Sequence, residues 1–235
     1  MGVTPGRVGR PRATGESAGE RDSRQDLLDA AAELFTERGY TATSTRAVAE
    51  LAGLRQASLY HYFGGKEDVL AELLEGTVRP SLRTAEVLRD VPASAAAKLW
   101  ALCRFDIDLL CRGRHNLGAL YLLSEVSAAR FAGFRRDRAA LKAAYRALLG
   151  ELAGPVSGLD TRADLLFGLV EGVILTRREK AIEDVAAFAS AGADAGVRLA
   201  GCAESDLPEI RLEGLSVLAT GKTESTPNGS PTAHH

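Results

Sequence analysis

Residues 44–63 read STRAVAELAGLRQASLYHYF, and this stretch limits the fold most tightly. A hydroxyl at Ser44 or Thr45 can accept from the orphan amides of a first helical turn, so a helix is predicted to start there. Val48, Ala49, Leu51 and Ala52 give it an apolar face, and Gly53 falls where a left-handed C-cap is wanted. Leu54 is expected to pack under the turn. A second helix should run from Arg55 or Gln56 to Tyr62, with Leu59 and Phe63 inward. Two helices crossing steeply through a three- or four-residue turn need a small residue at the contact and glycine at the bend, which Ala49 and Gly53 supply. The prediction is a helix-turn-helix. Its second helix turns Gln56, Ala57, Ser58, Tyr60 and His61 outward, as flat or short polar groups suited to base edges and phosphates in a major groove.

The run Leu59-Tyr60-His61-Tyr62-Phe63-Gly64-Gly65-Lys66-Glu67 then resembles the end of the helix-turn-helix in the TetR/AcrR family of bacterial transcriptional regulators. There a Leu-Tyr-x-Tyr/His-Phe run steps through Gly-x-Lys-Glu into a long helix. The resemblance covers roughly Gln25 to Leu74. Arg55 departs from it, standing where a serine-type cap is usual and offering an extra cation near the phosphates. The resemblance implies a homodimeric, sequence-specific regulator of double-stranded DNA, most often a repressor. It would be released from a palindromic operator by a small-molecule effector. It also implies that Ser44, Thr45, Arg46, Tyr60, Tyr62 and Lys66 hold phosphates. Gln56, Ser58 and His61 would face base edges, with Ala57 near a thymine methyl. A solvated Lys66 beside Glu67 and Asp68 is the plainer alternative.

The remainder of the chain reads as all-α. Ala, Leu and Gly are plentiful among 235 residues that are 46% hydrophobic, and β-branched runs of strand length are missing. Cys103 and Cys111 sit eight apart on one predicted helix, too far for a bridge, and Cys202 is alone. Sparse, odd cysteines suggest reduced thiols in a cytoplasmic protein. No signal peptide opens the chain. No apolar run nears the ~18 residues of a membrane helix, so no membrane partner is expected. The net charge is −2 with a pI near 6.1. Residues 1–75 hold nine Lys/Arg (7, 10, 12, 21, 24, 38, 46, 55, 66) against twelve Asp/Glu. DNA binding therefore requires local placement of cations, with Asp26, Asp29, Glu33 and Glu37 on the far side.

Four segments are expected. Residues 1–22 form a disordered basic arm, 23–75 the DNA-binding domain, 76–218 a helical ligand-binding and dimerisation domain, and 219–235 a disordered tail in which His234 and His235 are native or added. In the arm, Gly9-Arg10-Pro11-Arg12 resembles an AT-hook core that would lay Arg10 and Arg12 into a minor groove; a flexible leader is the alternative. Helix 1 should span Ser23–Arg38 with Leu27, Leu28, Ala31, Leu34 and Phe35 as its stripe, closed by Gly39. A fourth helix opens at Lys66, and Pro80 should kink or break it near Val78. Residues 94–112 are apolar nearly all round, hence central. Asp106 within them is expected to meet an arginine or to anchor a ligand. Further helices are predicted over Leu117–Val126, Ala129–Leu152, Thr161–Arg178 capped by Asp160, and Ile182–Gly201. A last segment falls within 206–218. Arg135, Arg136, Arg138, Lys142 and Arg146 read as a solvated basic surface.

An effector pocket is expected from Trp100, Cys103, Arg104, Asp106, Ile107, Tyr121, Phe134, Tyr145 and Phe167, whose types suit a mainly apolar molecule. Gly168/Gly172 and Gly192/Gly196 each fall four apart, a spacing that lets helix axes approach. With Ile174, Leu175, Phe188 and Leu199 they resemble the family's dimer-forming pair of helices, an intrachain core being the alternative. No catalytic, cofactor-binding or metal-binding group is found: there is no Gly-rich phosphate loop, no metal cluster and no Ser/His/Asp set, and His115 stands alone. An enzyme is therefore not expected. The competing function is a helical adaptor or signalling protein of the same fold that has lost DNA binding. A redox sensor through Cys103 or Cys111 is a variant of the first reading.

Overall fold

A computed structural model describes residues 16–154 and 157–224, with side chains from Asp22 to Thr220 outside that gap. The expected minor-groove contact of Arg10 and Arg12 lies outside the described residues, as do Pro155, His234 and His235. The described residues form nine α-helices and no strand. The chain divides into two compact units between Val69 and Leu70.

In the first unit, α1 covers Glu16–Glu37, α2 Thr45–Leu51 and α3 Gln56–Tyr62. α1 starts seven residues ahead of the expected Ser23, so the last part of the expected arm is helical. Its apolar stripe supplies Leu27, Ala31, Leu34 and Phe35 to a core closed by Val48, Ala49, Leu59 and Phe63. Each large side chain so buried contributes about 1.5–3 kcal/mol. Gly39 reverses the chain after α1 at φ 90°. The buried Thr43 hydroxyl then donates to the Gly39 carbonyl at 2.8 Å and lies 3.3 Å from that of Leu34, satisfying the helix end.

α4 runs Lys66–Asp90 and passes through Pro80 unbroken, where the sequence predicts a kink or break. In the second unit α5, Ala95–Cys111, is the central helix, with ten of its residues buried. The Ser94 hydroxyl caps it, accepting from the Ala97 amide at 3.2 Å. α6 (Ala132–Ala153), α7 (Leu159–Glu179), α8 (Val185–Leu199) and α9 (Leu207–Glu224) pack against it. α9 extends beyond the predicted 206–218 into the expected tail.

The helix predicted over 117–126 is absent. The chain makes three 3-10 turns instead, at Leu117–Leu122, Ser124–Ser127 and Ala129–Phe131. Gly118 is pressed on Ile174, where an added Cβ would meet the side chain at 2.5 Å. The Asn116 amide donates to the Ile174 carbonyl at 2.8 Å. Arg135 donates to the carbonyls of Val126 and Ala128 at 2.6 and 2.7 Å. Carbonyls bound by a guanidinium in this way need no helical partner.

The expected solvated cations of α6 are largely engaged as well. Arg138 pairs with Glu171 (Nε to Oε1 2.6 Å), Lys142 with Asp164 and Arg146 with Asp160, a row that sets α6 antiparallel to α7. Asp160 is thus an ion-pair partner, and Gly158, at φ 80°, stands at the N-cap in its place. α8 begins at Val185, three residues after the predicted Ile182, and is capped by Asp184, whose carboxylate accepts from the Ala187 amide at 2.9 Å.

Candidate nucleic-acid interface and helical core

α2 and α3 meet through a turn whose hydrogen bonds follow from Gly53. At φ 69° its amide donates to the Glu50 carbonyl at 3.1 Å, and the Leu54 amide to Ala49 at 2.8 Å. This paired closure ends α2 and turns the chain into α3. Ser44 caps α2, its hydroxyl accepting from the Ala47 amide at 3.1 Å. Arg55 occupies the matching position before α3 in extended conformation (φ −82°, ψ 150°) without a capping bond. That leaves its guanidinium exposed beside the start of α3.

Gln56, Ala57, Tyr60 and His61 are exposed on α3, and Ser58 and Tyr62 are half-buried. The face expected to read bases is therefore presented together. His61 and Tyr62 stack edge to face with centroids 5.0 Å apart. Thr45 Oγ1 accepts from Gln56 Nε2 at 3.0 Å and lies 3.2 Å from the Tyr60 hydroxyl. Arg46 Nε donates to Glu50 Oε1 at 2.7 Å, and this bond lifts the Arg46 pKa above its ordinary value. The pair is well exposed and easily exchanged.

Lys66 also makes contacts within the chain. Its ammonium donates to the Tyr40 and Thr43 carbonyls, each at 2.9 Å, and lies 4.3 Å above the Tyr40 ring. Two of its three protons tie the start of α4 to the loop before α2 and so help to hold the helix-turn-helix in place. Lys66→Met should lower the stability of the first unit by about 2 kcal/mol, the scale of a hydrogen bond to a charged group. Chemical denaturation followed by circular dichroism checks this; unchanged stability would return Lys66 to a purely surface role. Sequence reasoning also missed Asp68, which accepts from the Gly64 amide at 2.9 Å, and Arg24, which lies 5.0 Å from the Phe63 ring centroid.

In the second unit Asp106 is buried at 3% exposure, and among the described residues no arginine pairs with it. The Ser81 hydroxyl donates to Oδ1 at 2.9 Å and the Tyr145 hydroxyl to Oδ2 at 3.0 Å, so the carboxylate links α4, α5 and α6. Burial pushes its pKa up to about 6, against the lowering effect of those two bonds, and Glu171 adds to the rise. The Cys103 thiol is raised by burial and by Asp106, which disfavours its thiolate. Burial, with a smaller share from Asp108, raises Cys111 against the pull of Arg177. Around this acid lie Tyr145 and Phe167 (centroids 5.8 Å apart) and Tyr121 and Phe134 (5.0 Å).

Three of the expected pocket residues have further contacts of their own. Trp100 faces α8 and α9, donating from Nε1 to Asp194 Oδ1 at 2.9 Å. Arg211 Nε donates to the same oxygen at 2.9 Å. Burial works to raise Asp194, but the bonds from Arg211 and Trp100 outweigh it and leave its pKa below the usual carboxylate range. Arg104 lies 3.9 Å from Asp108. Ile107 borders an apolar groove of about 310 Å³ between α7 and α8, lined also by Leu169, Gly172, Phe188 and Gly192.

The two glycine pairs serve opposite ends. At Gly168 and Gly172 an added Cβ meets nothing of the chain within 4 Å, and Leu175 beside them is exposed. Gly192 and Gly196 instead let α8 approach α5: a Cβ would meet Ile107 at 2.5 Å and Cys103 Sγ at 3.0 Å. Gly196 and Ile174 are buried within the chain rather than outward, whereas Phe188 and Leu199 are half-buried.

The helix-turn-helix is a motif that places its second helix in the major groove of DNA. Residues 27–73 match the family described as bacterial regulatory proteins, tetR family. The repressor KstR2 of Rhodococcus jostii is 44% identical over 66 residues, 28% of this chain and 32% of that protein, so the chain spans about a third of this relative's length. The fatty acid metabolism regulator protein of Bacillus subtilis is 27% identical over 165 residues, 67% of this chain and 84% of the relative. The crystal structure of Mycobacterium smegmatis AmtR is similar over 89% of this chain and 98% of its own, with 43% identity and a TM-score of 0.76. The chain belongs to the tetR family of bacterial regulatory proteins, which are transcriptional regulators and not enzymes. No described helix is long and apolar enough to cross a membrane.

Proposed function

We infer that the chain is a homodimeric, sequence-specific transcriptional repressor of the cytoplasm, released from a palindromic operator by a small, mainly apolar ligand. The observation that carries this reading is the exposed face of α3 on a helix-turn-helix held by Gly53, Ser44 and Lys66. In this reading Ser44, Arg46, Arg55, Tyr60, Tyr62 and the remaining proton of Lys66 would meet phosphates, and Gln56, Ala57, Ser58 and His61 would face bases. Phosphate contacts set register, and base contacts select sequence.

Dimerisation is supported by the outward row Leu165, Gly168, Gly172 and Leu175 on α7, with the groove beside Phe188 on α8. A face of that kind costs free energy if left in water. A second copy would bring two α3 helices to half-sites one helical turn, or a multiple, apart. The effector would lodge among Phe134, Phe167, Tyr121 and Tyr145, with Asp106 as its polar partner. It acts only through a difference in affinity between the DNA-competent and DNA-incompetent states. A tetR-like structure of 20% identity, AibR, is described in complex with isovaleryl coenzyme A and operator DNA, which shows both ligand types on that protein.

The test is selection of bound duplexes from a random library at near-physiological salt, beside sedimentation at micromolar concentration. A palindrome bound by a dimer is the expected result. Gln56→Ala should then flatten preference at one base pair per half-site, a loss of ~1–3 kcal/mol in discrimination. A folded dimer that enriches nothing would favour the adaptor, and a monomer would remove the two-fold mechanism.

A further inference from the structure

We propose that Thr45 is a specificity-positioning residue, whose hydroxyl orients the Gln56 side chain for base reading from the neighbouring helix. The proposal rests on the DNA-binding reading above. Thr45 is the first residue of α2 and Gln56 the first of α3, eleven positions later. The turn closed at Gly53 brings the two helix starts together on the surface that α3 presents.

The arrangement has a direction. Thr45 Oγ1 accepts from Gln56 Nε2 at 3.0 Å, so the amide nitrogen faces Thr45 and the amide oxygen faces away. A carboxamide has two N–H donors and one carbonyl. Thr45 takes one donor and leaves one donor and the carbonyl on the outward edge. That remaining pair is what adenine requires for its N7 acceptor and N6 amino group. Thr45 can donate a hydrogen bond to the Tyr60 hydroxyl oxygen, 3.2 Å away, which leaves the Tyr60 O–H to donate to a phosphate oxygen. One hydroxyl thus couples a base-reading group to a backbone-reading group before DNA arrives. Without it, an exposed glutamine samples its rotamers and both amide faces, and must be ordered on binding.

Thr45 is well suited to testing because it carries no capping duty: Ser44 accepts from the Ala47 amide. Thr45→Val keeps the shape and removes the hydroxyl, whereas Thr45→Ser keeps the hydroxyl. The full chain and both variants would be taken through selection from the random duplex library, with Gln56→Ala marking the base pair that Gln56 reads. Thr45→Val should lower discrimination at that pair by about tenfold, the scale of one bidentate contact. Thr45→Ser should restore it, and the melting curves should coincide. If Thr45→Val binds all sequences more weakly and keeps its preference at that pair, Thr45 is a phosphate contact and the proposal falls. If the unaltered chain enriches no sequence, the DNA-binding reading falls and this one with it.

Discussion

Gly214→Ala should destabilise the second unit by about 2 kcal/mol, although the same change in most helices is stabilising. Alanine gains as much as ~1 kcal/mol over glycine in a helix interior. Here an added Cβ would stand 2.6 Å from Trp100 Cε3 and 3.2 Å from the Ala97 carbonyl. Neither can yield cheaply. The carbonyl belongs to the backbone of α5, and the indole, 1% exposed, is tied to Asp194 through Nε1. Overpacking of this kind costs about 1–3 kcal/mol and exceeds the gain in helix propensity. Gly76→Ala supplies the contrast, since it lies in α4 with nothing within 4 Å of the added Cβ. It should raise stability by about 0.5–1 kcal/mol. Denaturant midpoints of the two variants would check the pair; a stabilising Gly214→Ala would show that α9 does not dock on Trp100 as described.

Asp106→Asn should remove a pH dependence that the unaltered chain carries. Burial raises the folded-state pKa of Asp106 to about 6, above the ~3.9 of an exposed carboxyl. Below about pH 4 the group is protonated in both states and imposes no penalty. Between about pH 4 and 6 the unfolded chain releases the proton first, so the native state binds more protons and its stability falls as pH rises. Above pH 6 the full penalty of roughly 2–3 kcal/mol is present. Asparagine does not titrate. It can still accept from Ser81, and Tyr145 can accept from its amide. Stability difference curves of the two proteins should therefore diverge by roughly 2–3 kcal/mol between pH 4 and pH 7, with the variant gaining at the higher pH. Parallel curves would mean that water reaches the carboxylate. Asp194, Glu204 and Glu213, whose pKa values are lowered, tilt both proteins the opposite way and cancel in the difference.

Local chemistry made the helix-turn-helix legible. Ser44, Gly53 and the Leu59/Phe63 spacing act within a few residues of themselves, so their consequences can be read along the chain. The same holds for the central helix at 94–112 and for the family resemblance. Effects that depend on distant partners were hidden. Leu117, Leu120 and Tyr121 have helical spacing, yet the capture of carbonyls by Arg135 and the fit of Gly118 on Ile174 decide that stretch. Arg138, Lys142 and Arg146 look solvated until the antiparallel register of α6 and α7 supplies acids opposite them. Lys66 sits in a motif that suggests a phosphate, and the carbonyls that hold it lie more than twenty residues upstream. The two glycine pairs have equal spacing, and only the packing of α5 separates the pair used inside the chain from the pair that faces out.

Trp100 is the one tryptophan of the chain, and it is buried where α5, α8 and α9 converge, with its ring against Gly214 and its nitrogen on Asp194. Its intrinsic fluorescence is therefore a single-site optical gauge. Undocking of α9 would wet the indole and shift its emission to the red. The first unit contains no indole, so a red shift of that emission reports the wetting of a site in the second unit.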